Sequence, residues 1–422
     1  MVETVILRNS ARLIVEEIPH FRSIAMGIFI KVGSRYEPDV LAGASHFVEH
    51  MLFKGTEQHT AREIAEKFEN LGGQINAFTA KEYTCVYTRT LDEDMPMAMD
   101  IIFDMIFASK MSEADFATEK EVIFEEIRMY EDTPDELIHD VFNNHFFAGS
   151  SMGHPILGDF DTITALDRDT LYNYYKQYYI PENIVIAVAG NVKTENIISQ
   201  VEKRMPPHAG GITRLPEFSL SAYQPFISTV VKDVEQVQIC VGGPGISYHD
   251  ENRHAVSLMN SILGGGMSSR LFQSLREERG LAYSVYSYSS SHSDTGSLAF
   301  YIGTGTGKIE QFFSAFAAEL DKFMQAGIEE IELQRAKQMT KSSLYMGLES
   351  TNSRMSRMGR LLMMYDEYYS PEQMIEKIMA VDKPQIDALA EKMLSFKQMS
   401  MATIGNAAII PLVEQEFNRW FR

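Results

Sequence analysis

The chain has 422 residues, 45% of them hydrophobic and 23% charged, with a formal net charge of −20. That length calls for two or more domains rather than one core. The composition excludes a disordered chain, and the acidic balance argues against nucleic acid or an anionic membrane as partner. Cys85 and Cys240 are the only cysteines, so neither a disulfide framework nor a zinc–thiolate site is expected. No secretory leader, transit peptide or membrane-spanning run is read, which leaves a reducing, cytoplasmic setting.

Ala11 to Ile18 and Ser23 to Val32 are predicted strands, broken by Pro19-His20. A helix follows that contains His46, Glu49 and His50. Its apolar flank is Phe47, Val48, Met51 and Leu52, so the two imidazoles and the carboxylate look toward another surface. Thr60 and Glu63 form a capping box for a helix stopped by Gly72-Gly73. Gln74 to Thr79 and Tyr83 to Thr90 are two further strands, with Lys81-Glu82 between them. Asp92 is expected to cap a Met-rich helix to about Ala108. A helix from Ser112 to about Tyr130 has the stripe Phe116, Ile123, Ile127 and Tyr130. Glu119 and Glu126, two turns apart, fall on that inward stripe, whereas Glu121 and Glu125 point elsewhere.

The spacing H-x-x-E-H puts two zinc-type ligands one turn apart, with a carboxylate placed to act as general base. A catalytic site needs a third protein ligand and an open position for water. Glu126 is the candidate, because a carboxylate facing inward is costly unless it is paired or bound to metal. Glu49 is then the base for an attacking water. His139, His145 and His154 lack ligand spacing and read as structural or surface residues. Gly264-Gly265-Gly266 reads as a turn between helices, not a phosphate loop.

The Pro/Gly-rich stretch 206–225 is the expected linker between an N-terminal half, 1–205, and a C-terminal half, 226–422. The second half echoes the first: strands from Thr229 to Val241, a helix from about Glu251, a second helix Ser268 to Glu278, β-rich sequence from Ala282 to Tyr301, and a helix from Lys308. It has no H-x-x-E-H; the matching helix reads His254-Ala255-Val256-Ser257-Leu258-Met259, so one metal site per chain is expected.

These segments resemble the pitrilysin/insulinase family of inverted-motif zinc peptidases, in particular its mitochondrial-processing-peptidase-like branch. Gly43 to Thr56 is similar to the family's motif helix, and Gly72 to Thr79 to its substrate-binding edge strand. Glu119 to Ile127 is similar to the segment with the third ligand, and Leu275 to Tyr283 to the one that supplies an Arg/Tyr pair. The resemblance implies an α+β, LuxS/processing-peptidase-like metallohydrolase fold. Two homologous halves, each a mixed or antiparallel sheet with packed helices, form half of a clamshell. It implies one Zn2+ per chain on His46, His50 and Glu126, Glu49 as base and Glu119 as an accessory glutamate. Arg276 and Tyr283 then reach substrate carbonyls and the oxyanion, and Asn76, Ala77 and Phe78 lie along the substrate. Glu82 reads either as a solvated turn residue or as a contact to a substrate's N-terminal end. Zinc ligands and Arg/Tyr pair in one chain favour a homodimer, and the short untargeted N-terminus a bacterial cytoplasmic enzyme.

The expected activity is a zinc endopeptidase cleaving peptides or unfolded segments. Two alternatives stand beside it: a non-catalytic scaffold of the same family, and a peptide-binding module that keeps its zinc.

Overall fold

The computed structural model describes residues 2–207, 215–216, 220 and 222–422, so much of the expected linker 206–225 lies outside the described residues. The chain forms two compact units. The first comprises Met1–Met129, Ser150–Ser219 and Met346–Tyr368; the second comprises Tyr130–Gly149, Leu220–Tyr345 and Tyr369–Arg422. Each unit therefore takes in a short segment from beyond the boundaries expected at 1–205 and 226–422.

In the first unit the strands are β1 (Val2–Ile6), β2 (Arg12–Glu17), β3 (Ser23–Ile30), β4 (Gln74–Thr79), β5 (Thr84–Leu91) and β6 (Ile184–Gly190). They make one sheet in the order β1-β2-β6-β3-β5-β4. β2 and β6 run parallel, and the other neighbours are antiparallel. Alternate residues of β3 and β6 serve two cores. Ile24, Met26 and Ile28, with Ile184, Ile186 and Val188, face the cluster that includes Phe47, Val48, Met51 and Leu52. Ala25 and Phe29, with Val185 and Ala187, face Met355, Met358, Leu362 and Met363. Burial on both faces explains why Ile184–Gly190 is an unbroken apolar run without the alternation of a half-buried strand.

The second unit repeats the plan with β7 (Ile227–Val231), β8 (Gln236–Pro244), β9 (Ser284–Ser291), β10 (Gly296–Gly305) and β11 (Ser400–Gly405). The order β7-β11-β8-β10-β9 matches β2-β6-β3-β5-β4 strand for strand. The directions match as well: the first pair is parallel and the rest antiparallel. In both units the matching strand, β3 in one and β8 in the other, is followed by a helix, Ala44–Leu52 and Arg253–Gly264. The halves are structural duplicates, as the sequence echo suggested.

The helices covering the second face of each sheet come from the other half of the chain. Thr351–Tyr365 packs on β3, β6 and β2, and Pro134–Phe146 packs on β11, β8 and β7. At the first contact a Cβ added to Gly359 would collide with the Phe29 ring. At the second, a Cβ on Gly242 would lie 2.9 Å from Phe142 Cζ.

The helix Ala61–Asn70 has its Thr60/Glu63 capping box. It ends in a left-handed Gly72, with Gly72 N–H donating to Glu69 and Gly73 N–H to Phe68. The Met-rich helix differs from expectation: it begins at Met95, after Asp94, without a side-chain cap. Asp92 instead accepts from the Asn191 amide at 2.5 Å. The segment expected as a helix to Glu278 is π-helical over Phe272–Glu278. No helix among the described residues is long and apolar enough to cross a membrane.

Candidate active site

The motif helix, Ala44–Leu52, begins at Gly43, whose φ of 95° lies in the left-handed region. Its first turn is capped from a distance. Glu37, fully buried, accepts Gly43 N–H at 2.8 Å with one oxygen and Ser45 N–H at 2.6 Å with the other. A carboxylate at a helix N-terminus satisfies orphan donors and complements the helix dipole. Ser45 Oγ and Tyr174 OH, 2.8 Å apart, tie the same turn to the helix Arg168–Tyr178. Phe47, Val48, Met51 and Leu52 are buried in the core, which turns His46, Glu49 and His50 to the opposite side.

The facing helix, Glu113–Glu131, buries Phe116, Ile123 and Ile127, while Glu121 and Glu125 are exposed. Glu119 is 3% exposed. Glu126 Oε2 lies 3.8 Å from His46 Nε2 and 3.5 Å from His50 Nε2. One ligand atom from each of these three residues falls within 4.8 Å of the others. Among the described residues, Glu126 Oε2 is buried with no hydrogen-bond partner, as is His46 Nδ1. A buried carboxylate oxygen left unpaired between two imidazole nitrogens is what a cation is needed to satisfy. Burial, with His50 beside it, holds the His46 pKa down to about 3, so its imidazole is neutral and able to ligate. Two imidazoles and one carboxylate make a donor set that suits a zinc ion with a position left for water.

Behind the cluster, His50 Nδ1 is 3.0 Å from Glu119 Oε2, and Lys54 Nζ is 2.5 Å from Glu119 Oε1. Glu126 thus meets His46 and His50, whereas Glu119 meets His50 and Lys54. The two helices therefore run antiparallel, turn against turn. Glu49 Oε2 accepts the Thr79 hydroxyl at 2.6 Å. Burial raises the Glu49 pKa, and the Thr79 bond opposes that rise.

Thr79 ends β4, one of the two edge strands of the sheet among the described residues. Ala80 N–H donates to Tyr83 O at 2.8 Å. By the alternation of an antiparallel ladder, Asn76 and Phe78 bond to β5, while the N–H and C=O groups of Ile75 and Ala77 point outward. Ala77 N–H is held at 2.8 Å by the Asn76 side chain. Asn76 and Phe78 are exposed, with the Phe78 ring edge-on to Tyr83 and Tyr87. Glu82, in the adjoining turn, is not solvated: its carboxylate is 2.8 Å from the guanidinium of the buried Arg35.

Arg276 and Tyr283 belong to the second unit. The Arg276 guanidinium lies 4.9 Å from the Phe272 ring centre and 5.7 Å from that of Tyr283, and Tyr283 is 74% exposed. The three histidines set aside as ligands meet protein groups, His154 Nε2 lying 3.7 Å from Asp39 Oδ1. His139 sits between the Tyr288 and Tyr286 hydroxyls at 2.8 and 3.0 Å, and His145 bonds Val141 O at 3.0 Å. Glu37, Lys54 and Thr79 were not singled out from sequence. Only Lys54 left a trace there, four residues after His50 as His50 is four after His46.

The fold and donor set define a metallohydrolase-type centre built on an inverted H-x-x-E-H helix. The model for insulinase (peptidase family M16) matches residues 12–159, and that for the peptidase M16 inactive domain matches residues 165–340. An uncharacterized zinc protease of Bacillus subtilis, YmxG, is 39% identical over 416 residues, 97% of this chain and 100% of that protein. Another from Streptomyces coelicolor is 37% identical over 427 residues, 98% of this chain and 90% of that protein. The chain therefore belongs to peptidase family M16, the pitrilysin/insulinase family. A crystal structure of a peptidase M16 inactive domain from Pseudomonas fluorescens shares the fold at a TM-score of 0.88 and 20% identity, covering 96% of this chain and 98% of that one. A chain of complex III2 from Candida albicans shares it at 0.84 and 17% identity, with both chains covered completely.

Proposed function

We propose that the protein is a zinc-dependent endopeptidase that hydrolyses peptides or unfolded polypeptide segments. The observation that carries this reading is the convergence of His46 Nε2, His50 Nε2 and an unpaired Glu126 Oε2, with Glu49 one residue away from His50. A non-catalytic scaffold has no use for that set, since burying it costs stability unless it is filled.

His46, His50 and Glu126 hold one zinc ion per chain. When bound, the ion supplies Lewis acidity, lowering the pKa of water and polarising a carbonyl. Glu49, oriented by Thr79, takes the proton of the attacking water and returns it to the leaving amine. The outward C=O groups of Ile75 and Ala77 and the Ile75 N–H pair with an extended peptide laid along β4, which selects main chain over side chain. Tyr283 donates to the developing oxyanion and Arg276 holds a substrate carbonyl. Glu119 acts through His50 rather than on substrate. A homodimer, in which one protomer's zinc site works with the partner's Arg/Tyr pair, fits a chain carrying both; sedimentation of the active species tests it, and a fully active monomer refutes it. Glu82, already engaged by Arg35, is not assigned to substrate.

The deciding experiment is zinc content together with cleavage of a quenched-fluorescent peptide. Glu49→Gln is expected to keep zinc and lose cleavage, and His50→Ala to lose both. Equal cleavage by wild type and Glu49→Gln overturns the proposal.

A further inference from the structure

We infer that Lys54 is a positioning residue for the metal centre, acting through Glu119 on His50; the inference rests on the zinc-peptidase reading above. Glu119 is almost fully buried, and its two oxygens have different partners. One lies 3.0 Å from His50 Nδ1, the other 2.5 Å from Lys54 Nζ. A carboxylate removed from water is stable only when its oxygens are paired and its charge is offset. His50 alone covers one oxygen. Lys54, whose side chain is 34% exposed, covers the other and brings the opposite charge from the solvent side.

The helix supplies this arrangement. Lys54 N–H donates to Met51 O at 3.2 Å, so a helical turn carries on just past Leu52 and places residue 54 one turn beyond His50. His46, His50 and Lys54 thus form a single file opposite Glu126 and Glu119. With Glu119 fixed, the Nδ1–H of His50 is committed to it, and Nε2 is the nitrogen left for a metal. His46 has no such support: its Nδ1 is buried without a hydrogen-bond partner among the described residues. The stiffness of the ligand set therefore depends on one histidine, one carboxylate and one lysine.

The test is zinc affinity, measured by chelator competition, on wild type, Lys54→Met, Lys54→Arg, Glu119→Gln and the double variant Lys54→Met/Glu119→Gln. Loss of an outer partner of a ligating histidine weakens metal binding by about 10- to 100-fold. Glu119→Gln is expected in that range, and Lys54→Met at about 10-fold. The double variant should bind no more weakly than Glu119→Gln, because Lys54 has nothing to act on once the carboxylate is gone. Lys54→Arg should recover most of the loss, separating a cation's role from that of a packing stem. Unchanged affinity in Lys54→Met, multiplying losses in the double variant, or Lys54→Arg as weak as Lys54→Met each overturns the assignment. A wild-type chain that takes up no zinc refutes the underlying reading instead.

Discussion

Thr79 donates its hydroxyl to Glu49 Oε2 at 2.6 Å, so the last residue of the edge strand orients the carboxylate of the motif helix. A peptide laid along β4 would thereby be registered against the base by the same backbone that binds it. Thr79→Val removes the donor and keeps the shape. Its kcat should fall by about 10-fold, since misoriented general bases lose much of their 10²–10⁴-fold contribution. Zinc content should be unchanged, and Thr79→Ser should retain most of the rate. Steady-state kinetics of the three chains, with metal analysis, check this.

Glu37 is the buried anchor of the motif helix, and its removal leaves the Gly43 and Ser45 N–H groups without an acceptor. Glu37→Ala should cost about 2–4 kcal/mol of unfolding free energy, the penalty for two unsatisfied buried donors. Glu37→Gln, which keeps one acceptor oxygen, should cost less. Urea titration followed by far-UV circular dichroism measures both.

Gly359→Ala sets two effects against each other. Helix propensity favours alanine by about 1 kcal/mol. The added methyl, however, collides with the Phe29 ring in the core between the helix Thr351–Tyr365 and the sheet. Overpacking of this kind costs about 1–3 kcal/mol, so the variant should be less stable. A rise in melting temperature would show that Phe29 has room to move.

Glu17 caps the helix Thr194–Arg204. It accepts Thr194 N–H at 2.8 Å and pairs with Lys193 at 3.0 Å. Those bonds lower its pKa from 4.5 to about 2. A depressed acid contributes stability that is fully present above its unfolded pKa and is lost as pH falls through the folded one. The contribution should therefore disappear between pH 4.5 and 2. In Glu17→Gln the stability profile should be flatter across that window and unchanged in slope above it, as read from denaturation midpoints at a series of pH values.

What could be read from the sequence was local. The His46/Glu49/His50 face, the Thr60/Glu63 capping box and the inward stripe of Glu119 and Glu126 follow from spacings within one element, and the repeat of the strand pattern from the order of such elements. What could not be read depends on partners far along the chain. Glu37 has no pattern that aims it at the helix. Thr79 is one more threonine in an alternating strand until Glu49 meets it. The expectation that Asp92 caps a helix failed: the helix starts only at Met95, and Asp92 accepts from Asn191, 99 residues away. β6 lacks alternation because both faces are covered.

The crossing of the two covering helices between the chain halves bears on how the protein is made. β6 ends at Gly190, but the helix that shields Phe29, Cys85 and Val185 is complete only at Tyr365. At ribosomal speeds that interval is on the order of ten seconds or more, during which the nascent first unit presents a bare apolar sheet face. Neither half emerges as a finished folding unit. The enzyme has to wait for most of its own chain before its first sheet is closed.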